Sequence, residues 1–230
     1  MYSNLDFIFM LLLYQIEILH LSENLSERPP ASRDFAQFIC KMNYLKNLTL
    51  YGQCHDDFYS TSSSMALSTK DDCNTCSNVT DLTVTYWTLE GWQDCGSMFD
   101  NVKRITIKVW GTIRSDFIQR IHLPAVTELT IQTHEYAEEP ASLHDDPTSL
   151  PNAVHKVSSQ LVKVTFTDLK IGNEQAERII QAFRSSDDLK HLRTLRFIRC
   201  GTDDRLERSS IDSDDEHKIT VEMVHGKRVG

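Results

Sequence analysis

Cys73-x-x-Cys76 is the closest pair of soft metal ligands in the chain, and Cys54 and Cys95 lie almost symmetrically about it. Four thiolates could hold zinc, but structural zinc sites normally bring two close pairs and only one is present, so free loop thiols are expected. His55-Asp56-Asp57 and His144-Asp145-Asp146 offer ligands to a hard cation, although Asp-rich loops are ordinarily just solvated. No G-x-x-x-x-G-K-[ST], G-x-S-x-G or H-E-x-x-H occurs, which leaves no phosphate cradle, nucleophile elbow or metalloprotease helix to assign. Trp87, Trp92 and Trp110 could form an aromatic binding platform, but each follows a strand-like segment, where a large ring more often seals packing. No cofactor is expected, and the chain reads as a binding protein, not an enzyme.

Bulk composition agrees with that reading. The 230 residues carry 24 Lys plus Arg against 33 Asp plus Glu, a net charge of −9, and 40% are hydrophobic, so one folded unit without general nucleic-acid affinity is expected. The apolar run from Phe7 to Leu13 is preceded by Asp6 instead of a basic start and ends at Gln15 and Glu17. It is too short to cross a bilayer and is expected to be a buried helix, with no membrane association. Cys40, Cys54, Cys73, Cys76, Cys95 and Cys200 are scattered along the chain, which fits a reducing compartment, the cytoplasm. The sequons at Asn24, Asn47 and Asn78 carry no weight without an export signal.

The elements that must position any site come from a repeat. Aliphatic residues recur with the spacing L-x-x-L-x-L seven times: Ile16, Leu19, Leu21; Leu45, Leu48, Leu50; Val79, Leu82, Val84; Val102, Ile105, Ile107; Val126, Leu129, Ile131; Leu161, Val164, Phe166; and Leu192, Leu195, Phe197. The last two of each copy are one residue apart, so on an extended chain they share one buried face. Between copies the spacing turns helical, as at Phe35, Phe38, Ile39 and Met42, at Phe117, Ile118 and Ile121, and at Ala176, Ile179, Ile180 and Phe183. Asn173 is expected to cap the last of these helices, with Glu174 and Glu177 at its positive end. One copy buries too few apolar groups to offset its ordering entropy, so the copies must stack. Stacked parallel strands on one surface and helices on the other give a curved α/β solenoid over residues 1–230.

The stretches LKNLTLYGQC, VTELTIQTH and LRTLRFIRCGT, joined to the helix NEQAERIIQAF, resemble leucine-rich repeats of the ribonuclease-inhibitor type, and more narrowly the C-terminal repeats of NOD-like receptors. The resemblance implies an Asn or Cys three residues after the last aliphatic that bonds loop backbone. Asn24 and Cys200 match, Cys54 matches if displaced by one, and Trp87, Trp110, His134 and Leu169 depart from it. It further implies a ligand-sensing or autoinhibitory region of an innate-immune receptor, for which a chain opening inside a helix reads as a fragment of something longer. Substrate-selecting repeats of a ubiquitin ligase adaptor, an inhibitory repeat protein, or a GTPase activator using Arg114 are the alternatives.

Two polar excursions are expected, near 53–77 and 134–150, and an acidic, loosely ordered stretch at 203–217, with an eighth strand at Ile219 and Val221. Between the paired aliphatics stand Thr49, Thr83, Thr106, Thr130 and Thr165, an exposed threonine ladder. Lys46, Lys103, Arg104, Lys108, Lys163, Arg193, Arg196 and Arg199 fall on the same inner face, opposed by Asp81, Glu128 and Asp168. That basic face in an acidic chain is the candidate binding surface for an acidic protein partner or an acidic segment of the full-length receptor.

Overall fold

The computed structural model describes residues 15–24, 39, 42–53, 78–85, 99–119, 121–143, 146–201 and 219–225. The protein is α/β with parallel main strands, and the chain divides into two compact units, Met1–Val102 and Lys103–Gly230.

In the first unit β1 (Ile18–Asn24), β2 (Asn47–Gln53) and β3 (Asp81–Thr85) lie side by side in that order, all parallel. The register sets Leu19 against Leu48 and Leu48 against Leu82, aliphatic beside aliphatic. Leu45, Leu48, Leu50, Val79, Leu82 and Val84 are buried.

The second unit carries β4 (Arg104–Val109), β5 (Thr112–Ile113), α1 (Ser115–Ile118), β6 (Glu128–Thr133), β7 (Ser142–Leu143), a 3-10 turn (Pro147–Ser149), α2 (Leu150–Val157), β8 (Lys163–Thr167), α3 (Asn173–Arg184), β9 (Thr194–Ile198) and β10 (Thr220–Val224). Its main sheet runs β4-β6-β8-β9-β10, and β5 pairs separately with β7. Ile105, Leu129, Val164, Leu195 and Val221 form one buried row across the sheet, and Ile107, Ile131, Phe166, Phe197 and Met223 form the next. Phe166 and Phe197 stack at 5.4 Å, so the two widest side chains of the row meet on neighbouring strands.

Successive copies are joined by a recurring backbone fork. The carbonyl after each copy's first aliphatic accepts from two consecutive N–H groups of the next copy: Lys103 O from Thr127 and Glu128, Thr127 O from Val162 and Lys163, and Val162 O from Arg193 and Thr194. Glu17 O and Lys46 O do the same in the first unit. A second recurrence lies three residues before the first aliphatic, where Met42, Phe99, Leu123 and Leu189 are buried and each accepts the aliphatic's own N–H in a tight turn. In the remaining copy of the second unit Ser158 holds that place, its hydroxyl donating to Pro124 O.

Four expectations need adjustment. The helical spacing at Phe117, Ile118 and Ile121 yields only the single turn α1, although Ile118 and Ile121 are buried; β5 takes up part of the link between β4 and β6. Asn173 is not the cap of α3 but its first residue; Gly172 holds the cap position in extended backbone and supplies no side-chain bond. The stretch 134–150, read as a polar excursion, is tied down where it is described: β7 pairs with β5, Ser142 N donates to Gly111 O, Lys170 N donates to Ala141 O, and Ala141 is buried. The threonine ladder forms in register, Thr49 beside Thr83 and Thr106 beside Thr130 beside Thr165, but Thr49 and Thr165 are buried, each flanked on one side by a longer side chain, His20 and Arg196. The eighth strand is present as β10, with Ile219, Val221 and Met223 buried.

Cys40, Cys54, Cys73, Cys76, Cys95, Trp87, Trp92, His55, His144 and the stretches 54–77 and 203–217 lie outside the described residues. No helix among the described residues is long and apolar enough to cross a membrane.

Candidate partner-binding face

Strand alternation decides which side chains reach the surface. In β4 the buried Ile105, Ile107 and Val109 alternate with Arg104, Thr106 and Lys108, and the parallel register carries this alternation across the unit. Arg104 stands beside Glu128 and Glu128 beside Lys163; Thr165 stands beside Arg196 and Arg196 beside Glu222. Seven of the eight candidate cations therefore sit on or beside the strands of the second unit, while Lys46 belongs to the first.

These cations are more heavily paired than the sequence suggested. Lys163 Nζ lies 3.8 Å from Glu128. Arg196 Nε lies 3.1 Å from Glu222, but its N–H is not aimed at the carboxylate, so the contact is an ion pair without a hydrogen bond. Lys108 Nζ bonds both oxygens of Glu135, at 3.0 and 2.7 Å. Arg199 grips Asp168 with two parallel bonds of 2.7 and 2.6 Å. Lys46 lies 3.5 Å from Glu17, with both groups well exposed. Arg193 turns back on its own loop, donating to the Lys190 and Leu192 carbonyls. Lys103 is exposed and makes no ion pair with another described residue, and Arg104 beside it is also exposed.

The sequence reading counted Asp81, Glu128 and Asp168 as the opposing acids and overlooked Glu17, Glu135 and Glu222. Glu222 could have been found by aligning β10 with the other copies, since Val221 and Met223 place it one strand over from Arg196. Glu135 carries no such signal because it lies in the turn after β6. Among the described residues of the second unit seven candidate cations face Glu128, Glu135, Asp168 and Glu222, which leaves the strand face positive, and Lys103 at the start of β4 is the exposed cation that makes no ion pair with another described residue. The more exposed of these pairs, Lys46–Glu17 and Lys163–Glu128, contribute little to stability and are weakened by salt, so they compete poorly with a well-matched acidic surface, whereas Arg199 is committed to the buried Asp168.

The strand ends are built from one position that matches the repeat pattern, Cys200, and from others that depart from it. Cys200 Sγ lies 3.4 Å from both the Phe166 and Ile198 carbonyls, the loop-bonding part that the pattern assigned to it. Burial pushes its thiol up to about 11, opposed by backbone hydrogen bonds from its surroundings. In the β6 copy Thr133 fills the bonding part instead of His134: buried, its hydroxyl donates to Asp168 O and accepts from Ala141 N. His134 packs, its ring stacked on Trp110 with centroids 3.7 Å apart, so of the three tryptophans the described one joins neighbouring copies.

The chain matches no protein-family model and no curated protein.

Proposed function

We propose that this chain is a leucine-rich-repeat solenoid that binds another protein, the second unit's strand face meeting an acidic surface of the partner. The positive balance of that face in a chain of net charge −9 is the observation on which the reading rests. The recurring carbonyl fork, the in-register aliphatic rows and the Cys200 contacts support the repeat assignment. The resemblance to NOD-like receptor repeats favours a cytoplasmic sensing or autoinhibitory role, in which the occupant is a ligand protein or an acidic segment of the full-length receptor. Nucleic acid is disfavoured by the overall charge.

The test uses a fluorescently labelled Asp-rich peptide as the probe. Binding should weaken steeply between low salt and about 0.15 M, where exposed charges are screened beyond roughly 8 Å. The triple variant K103E/R104E/R193E should lose at least tenfold in affinity, whereas R178E/R184E on α3 should lose less than twofold. Equal losses in the two variants, or binding that ignores salt, would overturn the assignment of the face.

A further inference from the structure

His134 joins the cationic face to the turn that follows β6. Its ring is buried at 3% exposure and stacked on Trp110, while Nδ1 accepts the Tyr136 N–H at 3.2 Å, so the neutral ring carries its proton on Nε2. A second bond, from Ala137 N to His134 O, closes the same turn. Glu135, the next residue, points away to Lys108, yet its Oε2 stands only 3.9 Å from Nδ1. The charges acting on the ring are Glu135 from its own turn and Lys108 from β4. Asp168, in the matching turn after β8, is held by Arg199, and Tyr136, although 83% exposed, keeps its ring tilted 5.4 Å from the His134 ring.

We propose that His134 is a proton-operated switch on this face: protonation at Nδ1 removes the acceptor for the Tyr136 N–H and draws Glu135 away from Lys108, making Lys108 more available to an acidic partner. The proton comes from solvent, and no other bond is made or broken covalently. Nδ1–H⁺ cannot coexist with an N–H aimed at it, and the nearest anion it can meet is Glu135. Burial lowers the ring's pKa, against the attraction of Glu135, so the switch operates below pH 6.5. The partner half of this inference rests on the reading of the face as a binding surface; the proton coupling does not.

The test combines binding of a labelled six-aspartate peptide at pH 7.5 and 5.5 with nuclear magnetic resonance of the His134 ring and the Tyr136 amide, in the wild-type chain and in His134→Gln and Glu135→Gln. Glu135 is exposed, so its variant is expected to fold even if the buried His134 variant does not. Wild type should bind roughly fivefold more tightly at pH 5.5, a gain of the size one surface pair provides, and the Tyr136 amide should shift together with the ring. Glu135→Gln should already bind tightly at pH 7.5 and gain only what the remaining histidines supply. An equal gain in Glu135→Gln, or a Tyr136 amide that does not follow the ring, overturns the switch. Coupled titration of ring and amide without peptide binding at either pH supports the switch and overturns the reading of the face instead.

Discussion

Asp168 and Arg199 occupy the same place on neighbouring strands, each the first residue past its strand, and both take left-handed backbone, φ 56° and 52°, with their side chains locked in a two-bond ion pair. Left-handed φ is unfavourable for residues other than glycine, at a cost of order 1 kcal/mol each, and persists where the surroundings over-determine it. Asp168 N donates to Ile198 O and Arg199 N to Val224 O, so each turn is also fixed by the next strand. Asp168 is 7% exposed and would be left a buried, unmatched carboxylate without Arg199. Arg199→Ala should therefore destabilise by about 2 kcal/mol and Arg199→Lys by about half of that, measured by urea denaturation. A loss under about 0.5 kcal/mol for Arg199→Ala would show that the pair merely decorates the turns.

Threonines with the same side chain should behave oppositely according to their partners. Thr106→Val and Thr130→Val should change stability by less than about 0.5 kcal/mol, since both stand half-buried on the strand face. Thr133→Val orphans two backbone groups, Asp168 O and Ala141 N, and should cost about 2 to 3 kcal/mol. Equal effects would mean that the hydroxyl of Thr133 carries no structural bond.

Cys200 should be inert in the folded chain. With a thiol near 11, roughly one molecule in a thousand is ionised at pH 8. Alkylation by iodoacetamide, followed by peptide mass mapping, should leave Cys200 unmodified until denaturant is added. Modification in the native state at the rate of a free thiol would contradict its burial.

Much of this was legible in the amino-acid order, for a physical reason. A pair of aliphatics one residue apart reports burial directly, and Leu48, Leu82, Ile105, Leu129, Val164 and Leu195 are all in the core where that spacing put them. Pairing between charges is another matter, because it depends on the register of neighbouring strands and on turns. Lys163 and Glu128 lie far apart in sequence and meet only once β6 and β8 align. Glu135 reaches Lys108 from a turn whose shape is set by a bond to His134, which no spacing rule reports. The loop-bonding part likewise moved from position 134 to Thr133, whose hydroxyl, two residues past the last aliphatic, donates to Asp168 O and accepts from Ala141 N.

Stability should fall on acidification in two stages. His134 has a folded-state pKa below 6.5, through burial and against Glu135, so the unfolded chain takes up the proton first. Stability is full above pH 6.5 and is lost as pH falls through the folded value. Burial works to raise Glu135, but its Lys108 and backbone hydrogen bonds outweigh that and hold it below 4.5, so its contribution is present above pH 4.5 and is lost below. Denaturation midpoints measured from pH 8 to 4 should decline from about pH 6.5 downward, and Glu135→Gln should remove the part below pH 4.5. Midpoints that rise between pH 6.5 and 5 would contradict the burial of His134.

If the strand face of the second unit is the binding surface, amide shifts of the ¹⁵N-labelled chain should map to it as an unlabelled Asp-rich peptide is added. The largest shifts should fall at Lys103, Arg104, Thr106 and Arg193, fading in high salt, with α3 from Asn173 to Arg184 unchanged. Shifts confined to α3, or a saturating set at the strand face that persists undiminished in high salt, would contradict this assignment.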